Sequence, residues 1–185
     1  MARRAVLAWC ALAALAGPAA ALAESRAAWV TPSDDTRAVA EQQVLGSGCR
    51  LRVVRDGSLL WSMERCVAGP KDYRFLSNDG LSLMVLYAFP EQGEAPKAAR
   101  AGALYKRGQK AKEFRVGQFV ADLKPLVMTS AHFYWLEGAM GQPGVPPGTS
   151  RDGRRVELTT LDRRNFMVSF DGEVQGPLPA QLKSH

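Results

Sequence analysis

Residues 73–89, YRFLSNDGLSLMVLYAF, decide the fold. The first arm, 73–77, is short and mixed in polarity, whereas the second, 81–89, is almost wholly apolar. Between them stands Asn78-Asp79-Gly80, a turn signal: Asp tolerates left-handed backbone beside Gly, and Gly adopts positive φ at no steric cost. Two runs separated in this way read as a β-hairpin. A continuous apolar run of this length reads as a central strand buried on both faces.

Upstream, Cys49-Arg-Leu-Arg-Val-Val-Arg55 runs into Asp56-Gly57 and returns through Leu59, Trp61 and Met63, a second hairpin signal. A three-residue loop there would place Cys49, Leu51 and Val53 on one face with Leu59, Trp61 and Met63. Arg50 and Arg52 would then lie on the other face near Glu64 and Ser62. That register separates polar from apolar residues, which a one-residue slip would not. Further upstream, Ser33-Asp34-Asp35 predicts a cap for a short helix over 36–45, with Gly46 as its stop.

Downstream, 90–100 reads as a polar loop, and runs at 103–107 and 111–116 flank a turn at Gly108. Residues 118–126 predict one or two helical turns stopped by Pro125, and 131–137 an aromatic strand. Residues 138–150, with four Gly and three Pro, read as a surface loop. A last hairpin spans 154–161 and 165–170, and Pro177 and Pro179 mark a frayed tail. The expected fold is all-β: an antiparallel meander of about eight or nine short strands, open, partly propeller-like or sandwich-like.

The 185 residues begin with a leader pattern. Arg3 and Arg4 form a positive region, residues 5–16 an apolar one, and Ala21-Leu22-Ala23 a small-x-small cleavage site, so 1–23 reads as a secretory signal peptide. A membrane anchor would need the whole apolar stretch to span, and Gly17-Pro18 interrupts its helix. Cys10 is too near the start, and follows too bulky a residue, for lipid attachment. Cleavage would remove Arg3 and Arg4, taking the formal charge from +6 to +4 over the remaining 162 residues. The expected division is 24–48 as an N-terminal segment, 49–176 as one β-rich domain and 177–185 as a flexible tail. Arg outnumbers Lys 17 to 7, which points to a GC-rich bacterial genome, and export then means the periplasm or beyond.

Two thiols, Cys49 and Cys66, remain in the exported chain, and an even pair in an oxidising compartment predicts a disulfide. Two separate buried thiols are the alternative. Cys66 falls out of phase with Cys49 in the hairpin register, so a bond must form where the ladder ends. The loop of about 16 residues corresponds to roughly 3 kcal/mol in the chain-entropy model.

The segments 75–87, 103–114, 151–156 and 165–172 resemble the strands and Asn/Asp-Gly turns of β-propeller blades, as found in small exported bacterial proteins. The resemblance implies a scaffold and supplies no catalytic residues. At roughly 40–45 residues per blade, 162 residues hold fewer than four blades, and the Asp-Gly turns at 56, 79, 152 and 171 keep no constant period. An open curved meander fits better than a closed ring.

Catalytic motifs are missing: there is no Gly-x-Ser-x-Gly elbow, His-Glu-x-x-His, Cys-x-x-Cys or phosphate-binding loop. His132 lies in an aromatic run without an evident nucleophile partner, and the aspartates sit at turns that explain them. No enzyme activity, cofactor or metal is expected. The one electrostatic feature is a basic segment of Lys97, Arg100, Lys106, Arg107, Lys110, Lys112 and Arg115 against the single acid Glu113, echoed by arginines at 151–164. Export and the lack of a recognition helix argue against nucleic acid as its partner. The leading expectation is a non-catalytic exported scaffold or interaction protein, a soluble subunit of an envelope machine for secretion, polymer export or surface motility. The alternatives are a binding module for an anionic glycan or lipid surface, and a small envelope hydrolase with an unrecognised site.

Overall fold

The computed structural model describes residues 26–90 and 95–179, and the leader and the last six residues lie outside that range. At the turn of residues 77–81 the Ser77 hydroxyl donates to Asp79 Oδ1 at 2.6 Å and accepts the N–H of Ser82 at 2.9 Å. Asp79 Oδ1 also accepts the N–H of Leu81 at 2.9 Å. The same bonds recur twice: Ser33 with Asp35, Arg37 and Ala38, and Ser150 with Asp152, Arg154 and Arg155. The repeating unit is therefore Ser-x-Asp followed by one left-handed residue. That residue is Gly80 (φ +73°) and Gly153 (φ +65°) in two turns, but Thr36 (φ +58°) in the first. Because Thr36 replaces Gly there, a search for Asp-Gly pairs passes over this copy.

Each turn opens a four-stranded antiparallel meander with strands in chain order. The first contains β1 (Arg26–Pro32), β2 (Ala38–Leu45), β3 (Gly48–Arg55) and β4 (Ser58–Met63). The second contains β5 (Tyr73–Leu76), β6 (Ser82–Leu86), β7 (Arg100–Lys106) and β8 (Gln109–Arg115). A two-stranded ribbon, β9 (Val127–Met128) with β10 (Phe133–Tyr134), follows. The third meander contains β11 (Gly148–Thr149), β12 (Arg155–Thr159), β13 (Asn165–Ser169) and β14 (Val174–Leu178).

The three Ser-x-Asp turns meet at one end of the stack. Asp35 N–H donates to Asn78 Oδ1 at 3.3 Å, and Thr149 Oγ1 donates to Asp34 Oδ1 at 2.8 Å. A Cβ on Gly153 would stand 2.5 Å from Asn78 Nδ2, so glycine is required there by close approach as well as by φ. A parallel bridge between Ser33 and Leu76 brings the first two meanders together along their opening strands.

The second sheet is the middle layer. All five residues of β6 are buried, as the apolar run predicts. Leu83 and Val85 join Ala38, Ala40, Leu51, Val53 and Trp61 in one core, while Met84 and Leu86 join Val156, Leu158, Phe166 and Val168 in the other. Alternate side chains of a strand point to opposite faces, so one strand supplies both cores. The connection between the second and third meanders fills the larger core: Phe119 lies 5.4 Å from Trp135 and 5.3 Å from Phe166.

Several expectations are corrected. Residues 36–45 form no helix. Ala38, Ala40 and Gln42 are buried in alternation with half-buried neighbours, a period of two, and Ser33 with Asp35 closes a hairpin turn instead of capping a helix. Residues 26–45 thus share a sheet with 48–63, and β2 pairs with β3 along its whole length from Ala38↔Arg55 to Leu45↔Gly48, so no boundary falls at 48. Fourteen strands occur among the described residues, more than eight or nine, because β1, β2, β9, β11 and β14 lie in segments not read as strands. The β3–β4 turn has two central residues, Asp56 (φ +49°) and Gly57 (φ +80°), with an irregularity between Val53 and Val54. Leu51 faces Met63, Val53 faces Trp61 and Arg52 faces Ser62 as expected, but the irregularity turns Leu59 to the opposite face, beside Val54.

Candidate functional site

The basic hairpin β7–β8 brings its cations together, but most of them have partners. Lys106 pairs with Asp171 at 2.7 Å, and Lys112 Nζ donates to the Gly172 carbonyl at 2.6 Å. Both bonds cross to the β13–β14 turn, so they fasten the second sheet to the third. Lys110 and Arg115 converge on Glu113 at 3.0 and 2.7 Å, and the hydrogen bond from Lys110 is the main reason its carboxyl is held below the usual range. The Arg100 guanidinium lies 5.9 Å over the Tyr87 ring. Exposed pairs of this kind add little stability, and the two acids offset two of the seven positive charges. The excess of seven cations over one acid, seen along the chain, shrinks once Asp171 is folded against the hairpin.

Cys49 and Cys66 form the expected disulfide, with Cα atoms 4.8 Å apart. Cys66 lies three residues beyond β4, where the ladder has ended and its phase no longer matters. The bond delivers Val67 and Ala68 to the inner face of the first sheet. There buried Gln42 accepts the Val67 N–H at 2.8 Å and donates to the Ala68 carbonyl at 3.0 Å. Trp29 Nε1 donates to the same carbonyl at 3.2 Å. A lone polar residue among alanines on β2 thus has a structural role, holding a loop whose backbone groups would otherwise be buried unpaired.

Beside this loop opens a cleft of about 490 Å³, with Ala68, Gly69, Asp72, Tyr87 and Arg100 on its walls. Asp72 accepts the Gly69 N–H at 2.6 Å, and burial pushes its carboxyl above the ordinary value. Burial also raises Tyr87, with its neighbour Tyr105 adding to the shift, and lowers Arg74. Arg74 Nη1 donates to the Gly69 carbonyl at 2.8 Å, and its guanidinium lies 5.1 Å over Trp29. Asp72 and Arg74 hold the loop through the Gly69 backbone, and neither had a motif to announce it.

His132 sits in a tight turn in which its backbone N–H and carbonyl bond to Thr129. Phe133 and Trp135 are buried in the core. Glu137, five residues beyond His132, lies with its carboxylate 2.7 Å from Arg163.

The outer face of the first sheet is chemically different from these sites. Pro32, Val39, Val54 and Leu59 are cross-strand neighbours and form an apolar row across all four strands. Leu59 is 55% exposed, and Val30 on the same face is also 55% exposed. Glu41, Arg52 and Ser62 form the adjoining polar row with Val30. No helix among the described residues is long and apolar enough to cross a membrane. No protein-family model matches the chain and no curated protein matches it, so its functional reading stands on these residues and their geometry.

Proposed function

We propose that the chain is a non-catalytic, exported scaffold of the bacterial envelope that docks on another protein through the outer face of β1–β4. The observation that carries this reading is the apolar row Pro32–Val39–Val54–Leu59, flanked by exposed Val30. An apolar strip bordered by charges is the surface chemistry of a protein contact, since solvent-facing sheets ordinarily alternate toward polar residues. Export is supported by the leader pattern of residues 1–23 and by the Cys49–Cys66 disulfide, which belongs to an oxidising compartment. The resemblance of segments of the second and third meanders to propeller blades supports a scaffold role, and a soluble subunit of a secretion, polymer-export or motility machine fits it. The anionic glycan or lipid reading has less support, because Asp171 and Glu113 already engage Lys106, Lys110 and Arg115 of the basic hairpin.

The test is cross-linked affinity capture from native envelopes with the wild-type chain and a Val30→Glu/Leu59→Glu variant. Recovery of a stoichiometric envelope protein by the wild type, lost in a variant with an unchanged melting curve, is the expected result. Equal capture by both chains, or retention on anionic liposomes that disappears on reversing Lys106 and Lys110, would overturn it.

A further inference from the structure

The third sheet carries a separate cleft of about 530 Å³ that neither the disulfide loop nor the docking face touches. Its floor holds Glu137, only 6% exposed. The carboxylate is held firmly from its own backbone outward. Glu137 N–H donates to the Thr159 carbonyl at 2.9 Å, Leu161 N–H donates to Trp135, and Leu136 bridges Thr160. From the other side Gly144 (φ +110°) lies so close that a Cβ there would stand 2.6 Å from Glu137 Cβ. A glycine is thus required twice over, by its φ and by the carboxylate it confines.

Glu137 Oε1 is buried and has no hydrogen-bond partner among the described residues. Arg163 Nη1 lies 2.7 Å away, close enough for an ion pair but not aligned as a hydrogen bond. The Arg163 side chain is 75% exposed, so its guanidinium rests at the mouth, and its departure is tolerable only when another cation takes its place beside the buried carboxylate. Around the carboxylate, Val145, Pro146, Phe166 and Leu178 form apolar walls, and Glu157 adds a second acid. A buried, unsatisfied acceptor is costly, and native proteins keep one mainly where another group completes it.

We propose that this cleft binds an organic cation, an ammonium or guanidinium group on an aliphatic stem, with Glu137 as its buried counter-ion. Arg163 is the placeholder that such a cation displaces. The charge balance of the lining, two acids against one displaceable base, selects the sign of the ligand, and the apolar walls select its stem. The same chemistry is presented by a free alkylamine and by a lysine side chain of another protein.

Two probes separate these sources in calorimetric titrations of the intact chain: n-pentylammonium for the free amine and N-acetyl-lysine methylamide for the side chain. Saturable binding of at least one is expected, at least about tenfold weaker in Glu137→Gln, because a buried charge pair loses its partner. Arg163→Ala should bind several-fold more tightly, as the competing cation is gone. Uncharged n-pentanol should not distinguish wild type from Glu137→Gln. Should Glu137→Gln fail to fold, amide shifts of the wild type report instead, and Glu137, Thr159 and Asn165 must move on titration. Absence of saturation by both probes below about 10 mM, indifference to Glu137→Gln, or shifts clustered elsewhere would overturn the proposal. These readouts are independent of the first sheet, so the docking reading stands or fails separately.

Discussion

The first and second sheets share a topology, an opening Ser-x-Asp turn and a comparable size, yet only the second is covered on both faces. In β2 burial alternates, with Ala38, Ala40 and Gln42 inward and Val39 and Glu41 half-exposed, whereas in β6 every residue is buried. The difference comes from position in the stack. A middle sheet must present apolar groups to two neighbours, and an end sheet to one. The end sheet is therefore where surface remains for a partner, and where substitutions should be cheap in stability and expensive in binding.

The largest effect that sharpens this contrast is expected in β6. Leu83→Ala and Met84→Ala, which empty opposite cores, should each cost about 2–5 kcal/mol in chemical denaturation, as cavity-forming changes in packed cores do. Val39→Ala on the outer face of β2 should cost less than about 1 kcal/mol. Comparable losses at Val39 and Leu83 would mean that the outer face of the first sheet is covered.

Next in size is the disulfide, which secures the end sheet alone. Replacing both Cys49 and Cys66 by Ser should lower stability by about 3 kcal/mol. The loss should appear first as faster amide exchange at Val67 and Ala68, whose anchor on Gln42 then depends on hydrogen bonds only.

A smaller effect belongs to the turns the sheets share. Ser33→Ala and Ser77→Ala should each cost about 1 kcal/mol, through loss of a side-chain bond to a backbone N–H. The double variant should depart from additivity, because Asp35 N–H and Asn78 join the two turns directly. Strict additivity would show that the meeting of the turns carries no energy.

The smallest effect is in pH dependence, and its sign differs between regions. The Ser33 hydroxyl holds Asp35 below its ordinary value of 3.8, and Ser150 does the same for Asp152. A folded pKa below the unfolded one gives stability that is present above 3.8 and lost as pH falls through the folded value. Asp35→Asn should therefore flatten the acid limb of a denaturation profile. Asp72 is raised by burial, so its contribution runs the other way, and stability declines as pH climbs from 3.8 through its folded value. Asp72→Asn, which keeps an acceptor for Gly69, should stabilise the protein at neutral pH. A steeper acid limb in Asp35→Asn would contradict the hydroxyl–carboxylate bond.

Much of the second sheet was legible along the chain, because its signals are local: a turn with glycine, a continuous apolar strand and a basic hairpin about Gly108. The first sheet was harder to read. Ser33-Asp34-Asp35 makes hydrogen bonds that suit a helix cap or a tight turn equally, and without Gly at 36 the repeat with 77–80 and 150–153 was hidden. The site residues divide in the same way. Cys49 and Cys66 follow from parity and compartment, but Glu137 ends an aromatic strand like any surface acid until Gly144 and Thr159 close around it. The basic cluster misled in the opposite direction, since Asp171 is 65 residues from Lys106 in the chain and adjacent in space.

The sequence by itself determined the all-β class, the disulfide pair, the doubly buried strand and most hairpin turns, because period-two burial and turn chemistry act over a few residues. Only the tertiary structure decided that twelve strands form three stacked meanders joined at their turns, which sheet face remains open, how far the basic charge is cancelled, and that Glu137 is buried at the floor of a cleft. Those properties depend on which residues distant in the chain become neighbours, and no local pattern encodes that.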